Sequence, residues 1–308
     1  MGRRIRRQKK DRIYSVVNRT LHSKYFFAPT DEVNAIILGL LAKMADRYGI
    51  EIFAFVFMSN HFHMLVRSQS LQLHLFMRDF QGQLARKLNR HWGRTGTFFQ
   101  GRYSSTPILD DEAMVDKLRY TVCNPCESDL VHHPKQWPGL SSWSIHRTGE
   151  PLVGRVVNRK LYWSLKRKKE NKNLSERELI KRATEEYPLQ MAKLPLYKEL
   201  DDEAYSDTIC EHIEDCALAL AEARKVPCMG RKDLRELHYD DAPNRSKTTT
   251  RPLCHTNCGE TRKAFLEEMM EVTERYQDAV GKLRENKTQI SFPQGTIPPG
   301  HQCAVGGG

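Results

Sequence analysis

The sequence predicts a small mixed domain of α/β or α+β type over residues 1–148, with a mainly α-helical extension over 149–290 and a tail without order over 291–308. Three observations lead there. Short strand-like and helix-like runs alternate as far as about residue 145. After Trp143 the chain becomes heavily charged, most of all over 159–182. The last stretch, Phe292 to Gly308, is rich in Pro and Gly.

The elements follow in order. Residues 12–19 are rich in β-branched and aromatic types and read as a first strand. Thr30 can cap a helix from Asp31 to about Tyr48, where Val33, Ile36, Ile37, Leu40, Leu41 and Met44 recur at three and four residues and Gly49 ends the run. Glu51 to Met58 mixes aromatics and aliphatics without a polar face, as in a strand buried on both sides. Ser59 and Asn60 form a turn, and His61 to Arg67 is the next strand. A second helix runs from about Leu71 to Trp92 on an inner stripe of Leu73, Phe76, Phe80, Leu84 and Leu88. Thr97 to Tyr103 reads as another strand. Asp110, Asp111 and Glu112 then open a third helix, which carries Met114, Val115, Leu118 and Val122 and ends at Pro125. In the extension, 200–225 and 260–285 read as helices, and Asp240 to Thr250 as a linker.

Charge narrows the partner. Residues 1–150 carry 22 Lys and Arg against 13 Asp and Glu, 151–182 carry 11 against 3, and 183–308 carry 16 against 22. The basic part is placed as a nucleic-acid-binding module would place it, although an ordinary basic surface has the same composition. Arg78, Arg86, Lys87 and Arg90 lie off the apolar stripe of the second helix. Together with the N-terminal Arg3, Arg4, Arg6 and Arg7, they are candidates for phosphate contacts or for a solvated face. The N-terminus lacks the apolar stretch of a signal peptide, and no apolar run approaches bilayer length, so a cytoplasmic protein with no membrane partner is expected. The eight cysteines have irregular spacings and read as reduced thiols; neither Cys123/Cys126 nor Cys254/His255/Cys258 has a second half at zinc-ribbon spacing.

Two further features carry chemistry. His61 and His63 alternate with Phe62 on a strand, so both imidazoles project from one face while Phe62 points to the other. Such a pair can ligate one divalent metal, or can simply stand on a solvated sheet face. Tyr120 lies one position from the apolar stripe of the third helix, with Asn124 one turn on. One helix can thereby offer a nucleophile and an oxygen ligand, or a tyrosine that only packs.

In order along the chain, Phe57-Met58-Ser59-Asn60-His61-Phe62-His63-Met64-Leu65-Val66 resembles the signature strand of the HUH nucleases, in particular the single-tyrosine transposases of the insertion-sequence type. Gly96-Thr97-Phe98-Phe99-Gln100-Gly101-Arg102-Tyr103 resembles their next motif, and adds Arg102 to the candidates for DNA contact. Leu118-Arg119-Tyr120, Asn124-Pro125 and Leu130-Val131 resemble the stretch holding their nucleophile, and Trp137 to Trp143 the close of the domain. The ordered set is similar to the REP-associated tyrosine transposase branch over residues 10–146. The resemblance implies a ferredoxin-like antiparallel sheet flanked by helices (the HUH nuclease fold, of α+β class). It implies Mg²⁺ or Mn²⁺ on His61 and His63 with Asn124 as a third ligand, and Tyr120 as the nucleophile. The implied partner is single-stranded or hairpin DNA, nicked and rejoined through a 5′-phosphotyrosine; monomer and homodimer remain open. Ser15 stands where relatives often have a histidine, and Cys123 and Cys126 replace residues more usually aliphatic or polar. Two other readings remain beside this one. One is a hairpin-binding protein that no longer cuts, and the other a nickase of the replication-initiator or relaxase type. A zinc hydrolase ranks below both, because no general base stands out.

Overall fold

The computed structural model describes residues 5–243, 252–285 and 290–299. Strand β1 (Tyr14–Arg19) leads to helix α1 (Asp31–Tyr48), then β2 (Ile50–Phe57), β3 (His61–Ser68), α2 (Leu73–His91), β4 (Ser104–Pro107) and α3 (Asp111–Glu127). The strands order β2-β3-β1-β4, every pair antiparallel. A β-α-β-β-α-β chain in that order is the ferredoxin-like arrangement. The fold expected over this region is the fold observed.

The sheet has two differently used faces. On one, α1 and α2 cover an aromatic core that includes Phe26, Phe27, Phe57, Phe62, Phe76 and Phe80. Helix α1 begins where Thr30 Oγ1 accepts from the Val33 N–H at 3.2 Å, and ends at Gly49 with φ 57°. On the other face, α3 packs over Phe53, Ala54 and Leu65. A bulge in β2 between Ile52 and Ala54 lets Phe53 and Ala54 join that second core while Ile52 and Phe55 stay in the first.

Two local expectations are corrected. Residues 97–103 are a loop with one isolated bridge, Thr20 to Phe99, and the strand starts at Ser104. Gly96 turns the chain at φ 90°, and the adjacent Phe98 and Phe99 both pack on the same aromatic core, which an alternating strand forbids. Pro125 lies inside α3, which runs on to Glu127. So near the end of a helix its missing N–H removes one bond only, and Ser128 N–H to Asn124 O (3.1 Å) continues the turn.

The extension contains α4 (Trp143–Thr148), β5 (Leu152–Val157), α5 (Arg159–Arg167), α6 (Glu176–Arg182), β6 (Thr184–Leu189), α7 (Asp202–Ala223), α8 (Arg231–Arg235) and α9 (Gly259–Arg284). It is helical as expected, but β5 and β6 also pair as a two-stranded sheet against the outside of α1. Gly39 and Gly154 allow that approach: a Cβ at Gly39 would stand 2.5 Å from Arg155 O, and one at Gly154 2.7 Å from Leu38 O. Helix α7 shares one core with α3, with Ile209 and Ile213 beside Leu118, Val122 and Cys123. Residues 291–299, expected to lack order, lie along the N-terminal segment, with Thr296 bridged to Arg7 and the Gln8 N–H donating to Gly295 O at 2.9 Å. Residues 300–308 and 244–250 of the expected tail and linker lie outside the described residues.

Candidate active site at the histidine pair

The site forms where the signature strand meets α3. Because β3 alternates, Phe62 enters the aromatic core while His61 and His63 project toward α3. Their rings stand 5.0 Å apart, centroid to centroid, at 80°. Asp110 caps α3 by accepting from the Ala113 N–H at 2.8 Å, with Asp111 and Glu112 in the first turn. Leu118 and Val122 bind the helix to its core, which turns the adjacent line Lys117, Tyr120, Asn124 and Glu127 toward the histidines. The Tyr120 ring meets His63 edge-on at 5.3 Å. One chain therefore brings His61, His63, Tyr120 and Asn124 together, in cis.

Electrostatics favours neutral imidazoles. Burial holds the His61 pKa down to about 3, helped by the Arg19 guanidinium, while Asn124 opposes the shift. Burial and then the His61 charge push His63 well below its usual value, with Lys117 and Arg19 adding to the effect. His61 Nδ1 lies 2.6 Å from Asn60 Oδ1. In that pairing Nδ1–H donates and Nε2 keeps its lone pair. Asn124 is 4% exposed, stands beside both His61 and Tyr120, and its buried Oδ1 has no hydrogen-bond partner. An orphaned carbonyl oxygen beside two unprotonated imidazoles fits the donor set of a divalent cation. No group of three or more His, Cys, Asp or Glu among the described residues is arranged for a metal, so Asn124 is what would extend the pair to three ligands.

The Tyr120 phenol is pushed up, first by burial and then by Glu127; Asn124 and Arg19 pull it back. Lys117 Nζ stands 4.8 Å from the centre of its ring, and burial lowers the lysine's own pKa. His255, whose backbone pairs with Pro107 and Leu109 at the end of β4, is held down to about 4 by burial and by Lys117. Sequence reasoning took Asn60 only as a turn residue and did not single out Arg19, Lys117 or His255 for the site. Lys117 was visible at i−3 from Tyr120 and Asn60 by its place before His61; Arg19 and His255 arrive through strand register and a distant loop that no local pattern encodes.

The expected DNA contacts fall elsewhere. Arg78, Arg86, Lys87 and Arg90 are on α2, across the sheet from the histidine pair, and Arg78 pairs with Asp79 at 2.8 Å. Arg6 stacks on Tyr103 at 3.7 Å, and Arg7 pairs with Glu268 of α9 at 2.5 Å. Arg102 is exposed beside Tyr103, on a groove between β4 and α9. Arg3 and Arg4 lie outside the described residues.

Residues 8–120 match the family model described as "Transposase IS200 like". The matched segment ends at Tyr120. Among solved structures, the chain is similar to a REP-associated tyrosine transposase bound to a REP hairpin, at 16% identity and a TM-score of 0.40, over 47% of this chain and 84% of that one. It is also similar to a protein of Deinococcus radiodurans described provisionally as a transposase, at 18% identity and a TM-score of 0.29, over 40% and 97%. No curated protein matches the chain. No helix among the described residues is long and apolar enough to cross a membrane.

Proposed function

We propose that the protein nicks and rejoins single-stranded, hairpin-containing DNA through a covalent Tyr120 intermediate, as a transposase of the REP-associated type. The observation that carries this reading is the meeting, in one chain, of Tyr120 and Asn124 from α3 with His61 and His63 from β3. A protein that only bound hairpins would need none of the four.

His61 and His63, with Asn124, would hold Mg²⁺ or Mn²⁺. A bound cation supplies Lewis-acid polarisation of a scissile phosphate and stabilises charge developing on it. Asn60 fixes the His61 ring so that Nε2 stays available. Tyr120 attacks phosphorus, forming a phosphotyrosine at the 5′ end and releasing a 3′ oxygen, which takes up a proton in place of the one the phenol gives up. A phenol of ordinary pKa near 10 lies about 4 kcal/mol from its phenolate at neutral pH, and burial of Tyr120 adds to that cost. Arg19 and Asn124 offset part of it. The phosphotyrosine is still an ester of comparable transfer potential, so a second 3′-OH can reverse the step without a nucleotide cofactor.

The test is incubation of wild-type and Tyr120→Phe protein with labelled single-stranded hairpin DNA from the neighbourhood of its own gene, with Mg²⁺, Mn²⁺ or EDTA, read on a denaturing gel. A metal-dependent protein–DNA adduct that disappears in the variant is expected. Nicking that survives Tyr120→Phe would refute the covalent mechanism, and tight binding without adduct under every metal would leave a binding protein.

A further inference from the structure

Outside the family segment, helix α5 presents an unusual surface. Tyr162 and Leu165 turn inward onto Leu179 and Ala183. The opposite side carries Lys160, Trp163, Ser164 and Arg167, which are spaced at three and four residues and line one shallow open cleft. Trp163 is 51% exposed, its indole open to solvent among these cations. Lys166 stands over its ring at 5.4 Å. Burial first, then Lys43, Arg159 at the start of α5 and Arg90, depress the pKa of Lys87 on α2.

We propose that the outer face of α5, centred on Trp163, is a second nucleic-acid contact: a stacking platform for unpaired bases, with Lys160, Lys166 and Arg167 beside it to meet the phosphate backbone. Unpaired bases stack on aromatic side chains whatever their sequence, while interleaved Lys and Arg follow the phosphates. A membrane surface fits less well. An interfacial helix inserts a broad apolar face, whereas the exposed large apolar residues of α5 are Leu161 and Trp163, with cations between and beside them. Because the two-stranded sheet of β5 and β6, from which α5 departs, packs on α1 across the main sheet from Tyr120, this contact holds DNA flanking the hairpin and not the scissile nucleotide. The inference rests on DNA being the partner, and is independent of cleavage.

The test is fluorescence anisotropy with the full chain and two labelled DNAs, one hairpin without flanks and one with a long single-stranded flank, across a salt series. Trp163→Ala should weaken binding of the flanked DNA by about tenfold or more and leave the bare hairpin unchanged. Lys160→Glu with Arg167→Glu should flatten the salt dependence for the flanked DNA by one to two counterions. Adduct formation on the bare hairpin should be unaffected by either variant. Unchanged affinity for flanked DNA in both variants would overturn the proposal. So would equal losses on both DNAs, or loss of binding to phosphatidylserine vesicles with DNA binding intact. If no adduct forms with any DNA but Trp163→Ala still weakens the flanked one, the cleavage reading falls and this one stands.

Discussion

His146 offers a direct measurement of how the extension is fastened to the sheet domain. It lies in α4, 3% exposed, with both ring nitrogens buried and unpartnered, and burial alone holds its pKa down to about 4. Its backbone carbonyl accepts from Ser206 Oγ of α7 at 2.7 Å, so the residue marks the join between α4 and α7. Unfolded, the imidazole returns to about 6.5. Between those two values the unfolded chain binds a proton that the folded chain refuses. Stability is therefore fully present above about 6.5 and is lost as pH falls toward 4. Integrated from pH 7.5 to 4.5, the loss from this one group is about 2–3 kcal/mol. His61, His63 and His255 act in the same direction, so wild type alone cannot isolate the effect. His146→Leu keeps a similar volume, removes the titration and leaves the other three in place. Denaturant unfolding of both proteins at pH 7.5 and 4.5, in EDTA, should show wild type losing about 2–3 kcal/mol more than the variant. Losses within about 0.5 kcal/mol of each other would show that His146 is hydrated or hydrogen-bonded in solution, and the argument would fail.

Other perturbations test the rest of the molecule. Asn60→Ala removes the partner that orients His61, and Mn²⁺ affinity measured by calorimetry should fall about 10- to 100-fold with the fold unchanged by circular dichroism. Gly39→Ala places a Cβ 2.5 Å from Arg155 O; it should cost about 1–3 kcal/mol in denaturant unfolding by forcing β5 away from α1. Arg224, its side chain 5% exposed, bonds Asp129 Oδ1 at 3.0 Å and Cys126 O at 2.9 Å, so Arg224→Met should cost about 1–3 kcal/mol and loosen hydrogen exchange at the end of α3.

The sequence made the sheet domain legible because its signals are local. Thr30 and Gly49 bound α1, the period-2 pattern of His61 to Met64 aims two imidazoles one way and Phe62 the other, and i to i+4 spacing aligns Tyr120 with Asn124. What escaped was non-local. The bulge at Phe53 and the loop at 97–103 are decided by which core each aromatic joins, and Arg19 reaches the site only because β1 pairs with β3 in a register that sets it opposite His61. The pairing of β5 with β6 joins residues about thirty apart, through Gly–Gly contact with α1, and periodicity within either strand is too short to reveal it.

The arrangement constrains how the proposed reaction can run. Helix α3 is held on one side by Phe53 and Leu65 of the sheet and on the other by Ile209 and Ile213 of α7. Arg224, following α7, ties down its last turn. A helix packed on two sides can shift only by breaking a core, which costs far more than the rotation of a side chain. In the proposed reaction Tyr120 would therefore act as a fixed nucleophile beside the histidine pair, with freedom limited to its own torsions. If strand transfer occurs as proposed, the second DNA end would have to come to Tyr120, because the helix has nowhere to carry the first. That requirement would suit the proposed contact on α5, whose cations and exposed indole lie on the far side of the sheet, where flanking DNA could be gripped without entering the site.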